Sequence, residues 1–146
     1  MLRCALVSSA GYSGTPLAKK LGIKANFRVF LESAPAGYEE FLAPLPEGTL
    51  FEKKVSDQTD LVQLFVTKKA VLERRLRQYW AVGKPEVMVW ISWPKKASGV
   101  ATEVTEDTIR EVGLPLGFVD IKVCAVDATW SGLKLVVRRE LREGKS

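Results

Sequence analysis

Residues 87–93, Val-Met-Val-Trp-Ile-Ser-Trp, are the run that most narrows what this chain can fold into. The run is too short for a core helix and rich in β-branched and aromatic side chains, so it reads as a strand. Nothing polar interrupts it before Ser92, which leaves neither face suited to water. A strand apolar on both faces belongs inside a mostly parallel sheet with helices above and below. In such sheets the loops at the carboxyl ends of the strands form the ligand crevice. Here that loop is Trp93-Pro94-Lys95-Lys96-Ala97-Ser98-Gly99, which offers one indole and two ammonium groups.

The pattern around this strand alternates between the two periodicities. Thr15, Pro16 and Gly22 stand where a short helix places its cap, first residue and stop, with Leu17 and Leu21 one turn apart. Residues 26–33 read as a strand, 38–42 as a short helix, and 49–55 as a weaker strand with Lys53 and Lys54 guarding a sheet edge. Residues 60–66 form a strong strand, and Leu72, Leu76, Tyr79 and Trp80 give 68–82 one apolar helical face. Thr105 caps a further helix, with Glu106 and Asp107 in its first turn and Gly113, Pro115 and Gly117 ending it. Residues 119–127 alternate Val119, Ile121, Val123 and Ala125 against Asp120, Lys122 and Cys124. The link from there to 133–139 is too short for a parallel crossover, so these two strands form a hairpin. The expected fold is α/β: a mostly parallel Rossmann-like sheet flanked by helices and closing in a C-terminal antiparallel β-hairpin. Residues 11–139 are expected to form a single domain, with 1–10 as an N-terminal extension and 140–146 as a charged, disordered tail.

A chain of 146 residues buries about two-thirds of its unfolded surface and can be stable without metal or disulfide. It contains no histidine, which excludes Ser-His-Asp and Cys-His catalysis, His-ligated zinc and the facial triad of non-haem iron. Cys4 and Cys124 lack CxxC spacing, so no zinc or thioredoxin-like motif is encoded and the composition suits a reducing cytoplasm. No apolar run reaches the length of a membrane span. Net charge is +5, and the basic pairs 19–20, 53–54, 68–69, 74–75, 95–96 and 138–139 are spread along the chain. Such scatter is the usual mark of a solvated surface.

Two resemblances follow from this order. The segments Ala10-Gly11-Tyr12-Ser13-Gly14-Thr15-Pro16 through Lys24, Ser92-Trp93-Pro94-Lys95-Lys96-Ala97-Ser98-Gly99, and Lys122 through Asp127-Ala128-Thr129-Trp130-Ser131-Gly132-Leu133 resemble the signature segments of bacterial domain-of-unknown-function family 3052. That likeness implies a fold and a bacterial habitat, and no activity. More distantly, the alternation resembles a trimmed S-adenosylmethionine-dependent methyltransferase fold, with residues 60–66 in place of its fourth strand and 87–92 in place of its fifth. The chain departs from that fold in two places. Ala34-Pro35-Ala36-Gly37 stands where a glycine-rich turn would cradle the cofactor, and no clear acidic residue ends the second strand to hold a ribose. The cofactor is therefore left open.

If the hairpin closes as in that fold, Trp130 and Ser131 approach Ser92, Trp93, Lys95 and Lys96, with Tyr12 and Ser13 as a flap. Two rings and two ammonium groups in one crevice suit a planar anionic ligand. Asp60 and Asp127, at strand ends, are expected to cap turns rather than act as bases. The leading expectation is a non-enzymatic module that binds a small anionic ligand or a protein segment. The alternatives are a methyltransferase-like enzyme with an altered cofactor loop and a nucleic-acid-binding module that gathers its basic pairs.

Overall fold

The computed structural model describes residues 15–145. The flap expected at Tyr12 and Ser13, and the extension 1–10, lie outside the described residues. Helix α1, Leu17–Leu21, begins one residue later than the sequence suggests: Pro16 is its N-cap, and the Pro16 carbonyl accepts the N–H groups of Lys19 and Lys20 at 3.1 Å. Gly22 ends α1 in the left-handed region at φ 92°, where glycine avoids the Cβ clash. The Trp90 indole then fixes the helix end by donating to the Leu21 carbonyl at 2.8 Å.

Strand β1 (Arg28–Glu32) leads to α2 (Tyr38–Leu42), β2 (Leu50–Glu52) and β3 (Leu61–Phe65). Helix α3 (Lys69–Val82) and strand β4 (Met88–Pro94) follow, and then α4 (Glu106–Leu116), β5 (Phe118–Ala125) and β6 (Trp130–Val137). They build one six-stranded sheet of order β2-β1-β3-β4-β6-β5. The first four strands in that order are parallel to one another, and β6 runs antiparallel to both β4 and β5. This is the α/β sheet with a closing hairpin that the sequence implies.

Alternation along the strands divides the core in two. Val62, Leu64, Val89, Ile91 and Leu135 face α3 and α4, whose Leu72, Leu76, Tyr79 and Ile109 are buried against them. Val29, Leu61, Phe65 and Trp90 face α1 and α2, covered by Ala18, Leu21, Tyr38 and Leu42. Burial of both faces is why β3 reads as an unbroken apolar run.

Three details differ from expectation. Helix α4 continues through Gly113 and Pro115 and stops at Gly117, φ 121°; its start is capped reciprocally by Thr105 and Thr108. Gly113 lies where the helix meets β6, since a Cβ there would come within 3.3 Å of Leu135 Cδ1. Strand β5 holds an irregularity between Asp120 and Lys122, and Ile121 and Val123 are about half exposed, at 53% and 49%, because this strand is the sheet's edge. Residues 140–145 are not a free tail. A turn at Arg139–Leu141 and a short helix α5 (Arg142–Lys145) follow β6. Leu141 packs against the α3/α4 core, and Arg142 Nε donates to the Val137 carbonyl at 2.9 Å.

Candidate functional site at the carboxyl edge of the sheet

From β1 the chain moves outward to β2 and then returns to lay β3 on the other side of β1. That reversal places the topological switch point, where open α/β sheets bind ligands, between β1 and β3. Tyr38 occupies it. Its hydroxyl donates to Gln63 Oε1 at 2.8 Å, and Gln63 Nε2 donates to Ser92 Oγ at 3.0 Å, with all three residues buried. One polar chain thus ties the start of α2 to the interiors of β3 and β4. Burial pushes the Tyr38 phenol well above its usual range, so it stays neutral and serves as a donor.

Aromatic rings fill the space beside that chain. Phe65 meets Tyr38 edge-on with centroids 4.9 Å apart, and Trp130 meets Phe65 edge-on at 5.1 Å. On the opposite face Glu32, at the end of β1, accepts from Arg75 Nε at 2.9 Å and from the Tyr79 hydroxyl. Burial, and then the hydrogen bond to Glu32, raise the Tyr79 pKa, so this phenol too remains protonated. The carboxyl end of β1 is anchored from both sides.

The loop that replaces a glycine-rich turn borders a depression of about 410 Å³ lined by Leu31, Ala34, Pro35, Gly37, Tyr38, Glu39 and Glu40. Pro35 has no N–H to offer a phosphate, and Glu39 and Glu40 add negative charge in the first turn of α2. Glu52 ends the second strand, an acidic residue that is not apparent there from the sequence alone. Its carboxylate turns back toward the amino ends of the strands, where Arg28 Nη1 donates at 3.1 Å and Thr59 Oγ1 at 2.6 Å. It is not presented to a ribose. A turn short of glycine and a carboxylate drawn toward Arg28 and Thr59 are two departures from a site that holds S-adenosylmethionine across the crevice.

Charge gathers on the rim. Each loop leaving the carboxyl end of β2, β3 and β4 carries a lysine pair, Lys53-Lys54, Lys68-Lys69 and Lys95-Lys96. Parallel topology therefore brings three of the scattered pairs to one edge. β3 and β4 are hydrogen-bonded neighbours, about 4.8 Å apart, so Lys68 and Lys95 leave the sheet side by side. Among the described residues no carboxylate lies within 4.0 Å of Lys53, Lys54, Lys68, Lys95 or Lys96, and only Lys69 has one, Glu111 at 3.9 Å. The rim is also braced: the Lys95 N–H donates to the Thr129 carbonyl at 2.7 Å, and the Lys69 N–H, in the first turn of α3, donates to Glu103 Oε1 at 2.9 Å.

The expected crevice of two indoles and two lysines does not form. Trp93 pairs across the sheet with Ser131, and Pro94 with Trp130, so the indoles of Trp93 and Trp130 point to opposite faces. Trp93, 9% exposed, belongs to the α3/α4 core, and Trp130 is half-buried over Phe65 on the α1/α2 side. Ser131 is half-buried on the Trp93 face, and Ser92 is sealed in the polar chain. Of the expected set, Lys95 and Lys96 share the rim. Asp127 caps the hairpin turn, accepting the N–H groups of Thr129 at 2.8 Å and Trp130 at 2.7 Å. Asp60 sits at the opposite, amino edge, where it accepts the Arg28 N–H at 2.8 Å and pairs with Lys84. Sequence reasoning missed Tyr38 as the plug. The available signal was Gln63, a polar residue inside an apolar strand that needs an internal partner.

No protein-family model matches the chain, so the resemblance to family 3052 has no match behind it, and no curated protein matches it in sequence. Solved structures do match in shape. A SAM-dependent methyltransferase from Aquifex aeolicus superposes with TM-score 0.61 at 13% identity, covering 83% of this chain and 87% of that one. A DhpI–SAH complex gives TM-score 0.54 at 13% identity, with 87% and 85% covered. The M1A22 tRNA methyltransferase TrmK of B. subtilis gives 0.51 at 10% identity, with 90% and 70% covered. At these identities the likeness is one of fold, and the fold of this chain is the Rossmann-like α/β sheet of S-adenosylmethionine-dependent methyltransferases, closed by a C-terminal antiparallel hairpin.

Proposed function

We propose that the chain is a non-enzymatic binding module: a methyltransferase-type sheet whose cofactor crevice is plugged and whose carboxyl rim takes a small anionic ligand. The observation that supports the reading is the buried chain from Tyr38 through Gln63 to Ser92, which lies beside the switch point. With the crevice filled, the groups left to meet a ligand are those of the rim. Lys68, Lys95 and Lys96, with no carboxylate within 4.0 Å among the described residues, supply positive charge there, on loops held by Glu103 and Thr129. The chain has no histidine, so imidazole is not available as a general base. A reducing cytoplasm, in which Cys4 and Cys124 stay thiols, belongs to the same proposal.

A thermal-shift panel of nucleotides and of phosphorylated and acyl metabolites tests it. A true ligand at a hundredfold excess over its Kd adds about 2.7 kcal/mol of stability, and the paired variant Lys95→Ala, Lys96→Ala removes that gain. Silence across the panel sinks the reading. The acidic depression favours a second reading, in which Glu39 and Glu40 hold the positive charge of S-adenosylmethionine outside the plugged crevice. Titration calorimetry with S-adenosylmethionine separates the two: heat that disappears in Glu39→Gln, Glu40→Gln supports the second, and no heat at millimolar ligand removes it.

A further inference from the structure

Away from the rim, on the face of the sheet under α1, four lysines converge from three segments: Lys20 in α1, Lys24 just after it, Lys122 in β5 and Lys134 in β6. We propose that this cluster binds the phosphate backbone of a nucleic acid. Lys122 and Lys134 are direct cross-strand partners, a placement in which like charges repel. The fold reaches that placement through an irregularity. Asp120 pairs with Leu135, so a regular ladder would set Ile121 opposite Lys134 and Lys122 opposite Leu133, on the other face. The extra residue at Ile121 shifts the register by one and aims Lys122 at the same side as Lys134, the kind of re-aiming that bulges provide.

The α1 side completes the cluster. A Cβ built on Gly22 would lie 3.9 Å from Lys134 Nζ, which puts the end of α1 against that ammonium group. The Trp90 indole clamps the same helix end at Leu21, so Lys20 and Lys24 are presented from a fixed support. The elements that carry the lysines supply them with no paired carboxylate. Residues 17–27 and β6 contain no carboxylate, and β5 has only Asp120, which faces α4 and binds Arg110 Nε at 2.9 Å. Among the described residues none of the four lysines has a carboxylate within 4.0 Å, whereas Arg28, Arg75, Lys84 and Arg110 all do. The fourteen residues before the described part hold one arginine and no carboxylate, so they bring no counter-charge. Partial burial, and then the nearby Lys122 and Lys24, lower the Lys134 pKa from its usual value.

The shape of the surface selects the partner. The lysines stand on a helix, a loop and two strands, and neither the depression beside α2 nor the one between α3 and α4 is lined by any of them. Lysines carried by separate elements on one face suit an extended polyanion, whose regularly spaced phosphates are neutralised one by one with release of counterions.

The test is fluorescence anisotropy of labelled single-stranded and duplex oligonucleotides with the full chain across a salt series. The expected result is affinity that falls with salt at a log–log slope of about −3 on a single strand if all four lysines engage. Lys122→Gln combined with Lys134→Met should weaken binding at least about tenfold and roughly halve the slope, without lowering the melting temperature. Lys24→Gln, in an exposed loop, should reduce the slope by about 0.7 with no effect on folding. No binding at about 50 mM salt, or binding that these variants leave intact, overturns the proposal. So does loss of binding through Lys95→Ala, Lys96→Ala instead, or tighter binding of tripolyphosphate or anionic-lipid vesicles by the same four residues. These residues are distinct from the rim lysines, so either proposal can fail alone.

Discussion

Trp93 and Trp130 lie on hydrogen-bonded neighbouring strands, one residue out of step, and therefore face opposite sides of the sheet. Each is a packing residue of its own core, and substitution should be felt as lost stability. Trp93→Ala is expected to cost about 3–5 kcal/mol, and Trp130→Ala about 2 kcal/mol because its ring is half-exposed. The gentler Trp93→Phe and Trp130→Phe changes should add to within about 0.5 kcal/mol, since the two rings belong to separate clusters. Urea denaturation of the single and double variants checks both statements, and strong coupling between them would contradict the assignment to separate cores.

Tyr38→Phe removes the hydroxyl and keeps the ring, leaving the Gln63 carbonyl unpaired in a buried site. The expected loss is about 1–3 kcal/mol. Adding Gln63→Leu should recover part of it, because the orphaned acceptor goes with the side chain. A double-mutant cycle by denaturation measures the recovery, and a loss that simply adds would show that the two groups do not act as a pair.

Gly117 ends α4 at φ 121°, and a Cβ there would overlap the Trp80 ring and come within 2.9 Å of Leu141 Cδ1. Gly117→Ala combines left-handed strain with overpacking and is expected to cost about 3 kcal/mol. Thermal unfolding reads it directly. Gly99, also at positive φ but with open space around it, should lose only about 1 kcal/mol on the same change.

Arg110 gathers Glu106, Asp107 and Asp120, and its hydrogen bond to Asp120 holds that carboxyl below the usual carboxylate range. A depressed folded-state pKa gives stability that is present above the unfolded value, near 3.9, and is lost as pH falls through the folded value. Asp120→Asn should therefore flatten the stability curve below about pH 4 and cost about 0.5 kcal/mol at neutral pH, the worth of a partly exposed pair. Denaturation from pH 7 to pH 2 in both proteins measures it.

The layered fold was legible because its signals are local: an apolar run in β4, helical spacing in α3, and Thr105 before Glu106 in α4. Each can be read without knowing what lies next to it in space. The site depends on register, which is not local. That Trp93 and Trp130 part company follows from which residue of β6 opposes Trp93, and no periodicity in either segment states it. Strand β5 misleads more actively. Val119, Ile121, Val123 and Ala125 alternate without a break in the sequence, yet the inserted residue places Val119 and Val123 on different faces. Gln63 announced that it needed a partner but not that the partner was Tyr38, at the start of the short helix α2. The lysine pairs looked scattered because the chain order separates what parallel crossovers reunite.

Strand β6 is made last and inserted between β4 and β5. Until residues 130–137 are available, β5 has no neighbour to hydrogen-bond with, and the α3/α4 layer lacks Leu133, Leu135 and Val137 beneath it. During synthesis on a ribosome, the half of the sheet beyond β4 must wait for this segment to clear the exit tunnel. A shorter nascent chain would present a naked β4 edge to its surroundings and would call on holdase chaperones.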